Sequence, residues 1–408
     1  MSWFEVAPGS PFGTAELPYG IFSTPDSSRR VGVAVGDRVL DLAAVAETAG
    51  HDAEVFQQPS LNALMSLGPG VWAEGRELLQ SLLDDDESGR DVVEPHLLPL
   101  DSVTMHQPIE VADYVDFYAS EHHAANVGAI FRPGGPPLTP NWKHQPIGYH
   151  GRAGTVVPSG TPVIRPNGQR KAPDEEGPSF GPSRRLDIEA ELGFVVGVGS
   201  RQGTSVGVDA FAEHVFGVVV LNDWSARDLQ AWEYVPLGPF LGKSFATSIS
   251  AWVLPLAALE PARRPLPPQD PPLLDYLRGD LHGYAIDVEV WLNGYLVSTC
   301  PYAAMYYAPA QMVAHLTSNG ASLRTGDLLG SGTISGPSLD QRGSLLELTW
   351  NGSQPLLLGA EERTFLADGD EVVLRAHAPG AGGTVISLGE VAGRIEPAPY
   401  RWCRHRCR

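Results

Sequence analysis

The segment Leu186 to Val196, LDIEAELGFVV, alternates as a β-strand does. Leu186, Ile188, Ala190 and Leu192 point to one side, and Asp187, Glu189 and Glu191 to the other. Carboxylates repeated along one face repel one another, a cost that solvent screens or a bound cation removes. The pattern alone leaves both readings open, a solvated strand face or a cation site. Earlier in the chain, Val31 to Leu42, VGVAVGDRVLDL, predicts two short strands around a Gly-Asp turn. Ser60 is placed to cap a short helix carrying Leu61, Leu64 and Met65, which Gly68-Pro69 stops. A second helix sets Trp72, Leu79, Leu82 and Leu83 on one face and ends in the acidic run Asp84 to Glu87, read as a solvated end.

Pro95 to Pro108 reads as a connector, so a small N-terminal domain, residues 1–108, precedes a large one, residues 109–408. Asp113 to Phe131 predicts a turn and then a helix, and Val215 to Leu221 a buried strand. From Thr155 onward the text is rich in strands and turns, with Gly-Asp turns before Asp327 to Leu329 and Asp368 to Leu374. Arg165 to Arg185 and Glu260 to Pro272 read as long loops, and loops of that length in compact domains are often functional. The fold class that results is mainly β (α+β), and no internal repeat is visible.

Composition narrows the function classes. Of 408 residues 43% are hydrophobic and 19% charged, a globular balance, while Gly 45 and Pro 36 favour short strands and turns. The formal net charge of -20 argues against nucleic acid as a partner but does not exclude an anionic substrate, since a few arginines can dominate one pocket. Cys300, Cys403 and Cys407 make no disulfide framework and suit a reducing compartment. The N-terminal text lacks a basic residue before Arg29 and an apolar core, so no signal peptide is predicted, and no apolar run reaches the roughly 18 residues of a membrane span. A soluble cytoplasmic protein is expected.

Candidate chemistry gathers around the opening strand. The apolar run Val218 to Leu221 ends at Asn222-Asp223, where a strand end can deliver a polar side chain into a site. Asp116 stands among aromatic residues just before the pair His122-His123. Asp116, Glu189, Glu191 and Asp223 are hard oxygen donors, a set that suits Mg²⁺ or Ca²⁺ and disfavours zinc. Their surplus charge calls for a nearby cation, for which Lys243 is the candidate. The Gly-rich GPFLGKS around Lys243 fails the phosphate-loop spacing. On a helix His122 and His123 face about 100° apart, so at most one reaches a given site. A general base needs an orienting carboxylate; Glu347 in SLLELTW could serve, but sequence pairs it with neither histidine.

The stretches DFYASEHHAANVGAIFR, PNWKHQPIGYHGRAGTVVPSGTP, LDIEAELGFVVG, FGVVVLNDWSARDLQAWEYVPLGPFLGKSF, GDLLGSGTISGP and GSLLELTWNG occur in the order, and over nearly the whole length, that resembles the fumarylacetoacetate hydrolase family. The run Asn222 to Phe245 is its most specific part. The resemblance implies a small SH3-like barrel domain, then a large mixed β-sheet domain, assembled as a homodimer. It implies hydrolysis of a carbon–carbon bond in 4-fumarylacetoacetate to fumarate and acetoacetate, the last step of tyrosine and phenylalanine catabolism, with Mg²⁺ or Ca²⁺ and no organic cofactor.

By position, Asp116, Glu189, Glu191 and Asp223 match metal carboxylates, with Lys243 and Thr247 beside a further cation position. His123 matches the catalytic base and Glu347 its partner; Arg227, Gln230 and Lys243 match the group that stabilises an oxyanion. Tyr118, Arg132, Tyr149, Gln230, Tyr234 and Thr333 match substrate contacts, and Asp187 is left as a rim residue. The tail Arg401 to Arg408 matches nothing; its Cys403, His405 and Cys407 read as part of a frayed basic end rather than a metal grip. Alternatives are a sibling acting on another acidic diketone, such as an acylpyruvate hydrolase, a decarboxylase, or a non-catalytic metal-stabilised β protein.

Overall fold

The structure, a computed structural model, describes residues 3–7, 9–84, 87–172 and 174–399. Part of the acidic run after Asp84, and the Cys/His/Arg tail, lie outside the described residues.

A 13-stranded mixed sheet carries the architecture. Its strands are β1 (Tyr19–Ser23), β2 (Arg30–Val35), β3 (Arg38–Asp41), β4 (Leu97–Pro99), β5 (Thr104–His106), β6 (Tyr114–Phe117) and β7 (Gly148–His150), followed by β8 (Val156–Pro158), β9 (Ala190–Val196), β10 (Val215–Asp223), β11 (Thr247–Ile249), β12 (Trp252–Pro255) and β13 (Leu328–Gly330). The order across it is β4-β3-β2-β1-β12-β10-β9-β13-β6-β7, with β5 on β1, β11 on β10 and β8 on β11. The N-terminal strands join the rest where Tyr19 of β1 lies opposite Val253 of β12. A second, five-stranded sheet holds Asp287–Leu292, Tyr295–Pro301, Glu371–Pro379, Val385–Glu396 and Val163–Ile164.

The two central strands are apolar on both faces because both faces are covered. Leu192, Phe194, Val218 and Val220 share one core with Val288, Leu374, Leu388 and Val391 of the smaller sheet. Val195, Val219 and Leu221 belong to a second core with Val33, Leu64 and Leu79. The helices α1 (Leu42–Thr48) and α2 (Pro69–Leu83) cover that side. Asp41 ends β3 and caps α1, its carboxylate accepting from Ala44 N at 3.3 Å.

Several sequence expectations are corrected. Leu186 to Val196 is not one strand: Leu186–Asp187 pairs with Ser225–Ala226, the chain breaks at Ile188-Glu189, and β9 follows. Asp113 to Phe131 begins with β6 rather than a turn, because Tyr114, Val115 and Phe117 are all buried. The supposed connector contains β4 and β5, which pair with β3 and β1. Leu61 rather than Ser60 occupies the cap position of the helix Asn62–Met65. The long loop after Arg165 holds a hairpin, Asn167–Arg170 against Ser179–Pro182.

Asp327 sets the start of β13. Its Oδ2 accepts from Arg324 N at 2.8 Å, while its Oδ1 is buried, with the Arg324 Nε only as near as 3.6 Å. Burial raises its carboxyl to about 6, with the Arg324 amide and guanidinium opposing. A carboxyl raised in the folded state contributes stability that is present below its ordinary range near 3.8 and lost as pH rises through about 6. Wild type should therefore lose stability relative to Asp327→Asn between pH 4 and pH 7.5. Urea unfolding at the two pH values checks this; an unchanged difference between the two proteins refutes it.

Candidate metal centre and active site

The adjacent strands β9 and β10, the strand break before β9, and β6 across the intervening β13 bring Asp116, Glu189, Glu191 and Asp223 together. Glu191 is the second residue of β9, Asp223 closes β10, and Asp116 lies in β6 opposite Gly330 of β13. Glu189 sits at the break before β9 and is tied to β10, since Asp223 N donates to its carbonyl at 3.2 Å. All four are buried, and one carboxylate oxygen from each lies within 4.8 Å of the others. The backbone between them must stay bare. A Cβ on Gly330 would come within 3.0 Å of Glu191 Oε2 and 3.3 Å of Asp116 Oδ1. Gly332, at φ +76°, donates its N–H to Glu191 Oε2 at 3.0 Å, and a Cβ there would meet Phe117 O at 2.3 Å.

Two cations answer part of this charge. Lys243 Nζ lies 2.5 Å from Glu189 Oε2 and 2.6 Å from Asp223 Oδ2. Arg227, the first residue of α4 (Arg227–Glu233), reaches Glu189 Oε1 at 2.8 Å through Nη1 and Asp187 Oδ2 at 2.7 Å through Nε. Thr247 donates to Asp223 Oδ1 at 2.8 Å and Tyr149 to Oδ2 at 3.3 Å. Burial alone would raise Glu189, but Lys243 and Arg227 hold it well below the carboxylate range. Asp116 and Glu191 go the other way, pushed up by burial and by their anionic neighbours. Asp223 also rises through burial, although Lys243 opposes, while Lys243 itself is held charged by Asp223 and Glu189 against its own burial. We read the group as short of positive charge, with Lys243 protonated and Glu189 ionised.

That shortage fits a divalent cation. Asp116 Oδ1 and Glu191 Oε1 are buried with no hydrogen-bond partner, a costly state that an ion removes. The donors are all carboxylate oxygens, the set favoured by hard cations.

Above the carboxylates lies a cavity of about 410 Å³. Asp116, Glu189, Arg227, Gln230 and Lys243 form part of its wall, with His123, Tyr118, Arg132, Tyr149, Tyr234 and Thr333 around them. Glu191, Asp223, Thr247 and Glu347 stand behind that wall rather than in it. A larger cavity, about 680 Å³ between α1 and α2, is mostly apolar and holds none of these groups, so the smaller one is the candidate site.

His123 is the third residue of α3 (Glu121–Phe131), whose N-cap Ser120 accepts its backbone N–H at 3.3 Å. It is buried, whereas His122 is half-exposed. His123 Nδ1 lies 2.6 Å from Glu347 Oε2, in α5 (Leu345–Leu348). Ser335 and Ser344 also donate to that oxygen, and Asn126 to the other at 2.9 Å. Burial would raise Glu347, but His123 and these donors keep it below its usual range.

With those contacts in place the comparisons are decisive. Residues 113–396 match the model of the fumarylacetoacetate (FAA) hydrolase C-terminal family, and residues 15–108 that of the fumarylacetoacetase N-terminal family. The chain belongs to the fumarylacetoacetate hydrolase family. It is 45% identical over 417 residues to the fumarylacetoacetase of Homo sapiens, covering 98% of this chain and 99% of that one. The Arabidopsis thaliana fumarylacetoacetase is likewise 45% identical, at 98% and 99% coverage. Among solved structures, a fumarylacetoacetate hydrolase from Exiguobacterium antarcticum superposes with TM-score 0.57 at 18% identity, covering 93% of this chain and 99% of that one. The maleylpyruvate hydrolase of Sphingobium sp. SYK-6 gives 0.53 at 16% identity, covering 94% and 100%. These likenesses establish a shared fold.

Against this family fold, Asp187 is misread by sequence as a rim residue. It is fully buried, holding Arg227 and accepting from Leu345 N at 2.7 Å and Leu346 N at 3.0 Å. The strand break at Ile188-Glu189 causes this, since it frees Asp187 from the side its spacing assigned. Asn126, Ser335 and Ser344 were also missed. Only Asn126 left a trace, three residues after His123 and so on the same helical face. Removing Asp187 takes one of two carboxylates from the buried guanidinium and leaves the amides of Leu345 and Leu346 without their acceptor, so Asp187→Ala should cost roughly 3–5 kcal/mol. Urea denaturation measures it; a cost below about 1 kcal/mol, the range of an exposed pair, would show Asp187 is no anchor.

Proposed function

We propose that this chain hydrolyses 4-fumarylacetoacetate to fumarate and acetoacetate, using His123 as the general base in the cavity over the four carboxylates. The observation that carries the reading is the buried His123–Glu347 pair, 2.6 Å apart, on the wall of a cavity that also contains Arg227, Gln230 and Lys243. A purely structural ion site has no use for that combination.

The residues divide the work. Glu347 accepts from Nδ1–H of His123, which fixes the ring and leaves Nε2 as the basic nitrogen. His123 takes one proton from a water molecule as its oxygen bonds to the carbonyl carbon next to the fumaroyl double bond. The carbonyl electrons move to oxygen, and that oxyanion is met by Arg227, whose Nη2 lacks a partner, with Gln230 and Lys243 alongside. When the tetrahedral carbon collapses, its bond to the methylene carbon breaks, the electron pair leaves with acetoacetate, and the proton on His123 returns to that carbon. Asp116, Glu189, Glu191 and Asp223 would hold a divalent ion, proposed as Mg²⁺ or Ca²⁺, which would supply positive charge to offset the negative charge that builds on the departing acetoacetate. Arg132 has one guanidinium nitrogen on Pro137 O at 3.0 Å and others free for a substrate carboxylate. Tyr118, Tyr149, Tyr234 and Thr333, whose hydroxyl lacks a partner, complete the substrate wall.

The chain is further proposed to be cytoplasmic and homodimeric, with an N-terminal domain of residues 1–108 and a catalytic domain of residues 109–408. Its cysteine usage supports the first. Exposed Val235, Leu237, Phe240 and Leu241 near the cavity mouth support the second, being more apolar surface than a monomer needs there. Among the described residues no helix is long and apolar enough to cross a membrane.

The direct test follows the loss of diketone absorbance with Mg²⁺, with EDTA, and in His123→Ala. Turnover with metal, little with EDTA, and a drop of about 100- to 10,000-fold in His123→Ala are expected. A wild type that is inert with metal present overturns the function, and a variant that keeps most of the rate overturns the role of His123. Calorimetry should also find metal binding weakened far more by Asp223→Asn than by His123→Ala, and the reverse order would remove Asp223 from the ligand set.

A further inference from the structure

Between α4 and β11 the chain forms a strap, residues 234–244, with open space on both sides. Tyr234, Leu237, Gly238 and Pro239 line the active cavity. Pro239, Phe240 and Leu241 line a second cavity of about 410 Å³ that extends to Arg152 and Asn167, and Tyr149 and Lys243 border both. Within one subunit side-chain packing gives the strap little support, for Leu237 is 96% exposed and Phe240 68%. Yet Lys243, whose ammonium must reach Glu189 and Asp223 together, leaves from its end.

Glu233, the last residue of α4, supplies the missing restraint. Its Oε1 accepts the N–H of Phe240 at 3.1 Å and that of Gly242 at 2.7 Å. The carbonyl of Phe240 then accepts from Lys243 N at 3.2 Å and Ser244 N at 2.9 Å. The carbonyl of Gly242 accepts from Ala226 N at 2.8 Å, just ahead of Arg227. Gly242 lies so close to α4 that a Cβ would come within 2.8 Å of Gln230 N and 3.0 Å of Ala226 O. Only a glycine lets the strap lie this low. Both ends of α4 therefore grip the strap backbone around Lys243, and the same helix presents Arg227 and Gln230.

We infer that Glu233 is a positioning residue, whose single carboxylate oxygen locks the strap onto α4 and so holds Lys243 in register with Arg227 and Gln230. The inference rests on the hydrolase reading for its effect on rate, but the clamp itself can be measured without turnover. Because one oxygen accepts both amides, a glutamine carbonyl can replace it and an alanine cannot. Glu233→Ala should lower kcat roughly 10- to 100-fold while KM changes far less, the pattern of a misplaced transition-state group. Glu233→Gln should restore most of kcat. Hydrogen exchange in the peptide spanning residues 235–243 should accelerate in Glu233→Ala and not in Glu233→Gln, with the urea midpoint of all three proteins alike. Unchanged exchange in Glu233→Ala, or wild-type kcat in that variant, overturns the inference, as does a Glu233→Gln as impaired as Glu233→Ala. Should wild type fail to turn over fumarylacetoacetate, the hydrolase reading falls, and the exchange rates still decide the clamp.

Discussion

The site depends on an imbalance of buried charge. Asp116, Asp187, Glu189, Glu191 and Asp223 are all out of solvent, and Arg227 and Lys243 are the cations in ion pairs with them. Burying an ionised carboxylate without a partner costs several kcal/mol, so such a cluster survives only where something else stabilises it. Arg227 and Lys243 satisfy Asp187 and Glu189 and part of Asp223. Asp116 and Glu191, whose outer oxygens lack partners, are left over. The arrangement thus concentrates the unmet demand for positive charge at one point. A divalent ion fits that point, and the sheet holds it open because the close approach of Gly330 and Gly332 leaves no room for a side chain to fill it.

Arg227 links that charge to the rest of the machinery. Asp187, on one side, bridges Arg227 and the two amides that open α5, the helix bearing Glu347. Glu347 in turn sets His123. Glu189, on the other side, contacts both Arg227 and Lys243. Carboxylates therefore run from His123, the proposed base, to Arg227 and Lys243 of the proposed oxyanion group, each holding a partner in place. Asp187 is thus connected to His123 through the start of α5 and to Glu189 and Lys243 through the guanidinium.

The sequence made the strands of the core legible where hydrophobic runs were long, as at Val215 to Leu221, and where a Gly-Asp turn divided two short ones, as at Gly36-Asp37. It concealed β6, since four residues beside a helix show too few alternations to establish a period. The alternation from Leu186 to Val196 was real in the text, but the chain breaks at Ile188-Glu189 and the period does not survive. Asp187 was lost to that error. Asn126 and Glu233 escaped for a different reason: their partners, Glu347 and two backbone amides of the strap, are set by tertiary structure, and nothing in local spacing names them. What resemblance placed as a group, the fold gathers around one cavity, with Glu191, Asp223, Thr247 and Glu347 supporting from behind it.

Charge at long range opposes charge at short range here. The chain carries a formal net charge of -20, and the proposed substrate carries two carboxylates, so encounter is against the overall field. At physiological ionic strength that repulsion is screened beyond about 8 Å, and what the substrate meets last is the local wall. There Arg132, Arg227 and Lys243 line the cavity together with Asp116 and Glu189, while the carboxylates Glu191 and Asp223 stand behind it. Glu189 is already paired with Arg227 and Lys243, and a divalent ion would offset Asp116, so the net charge offered to the substrate is positive. An acidic protein can in this way bind a dianion without a basic exterior.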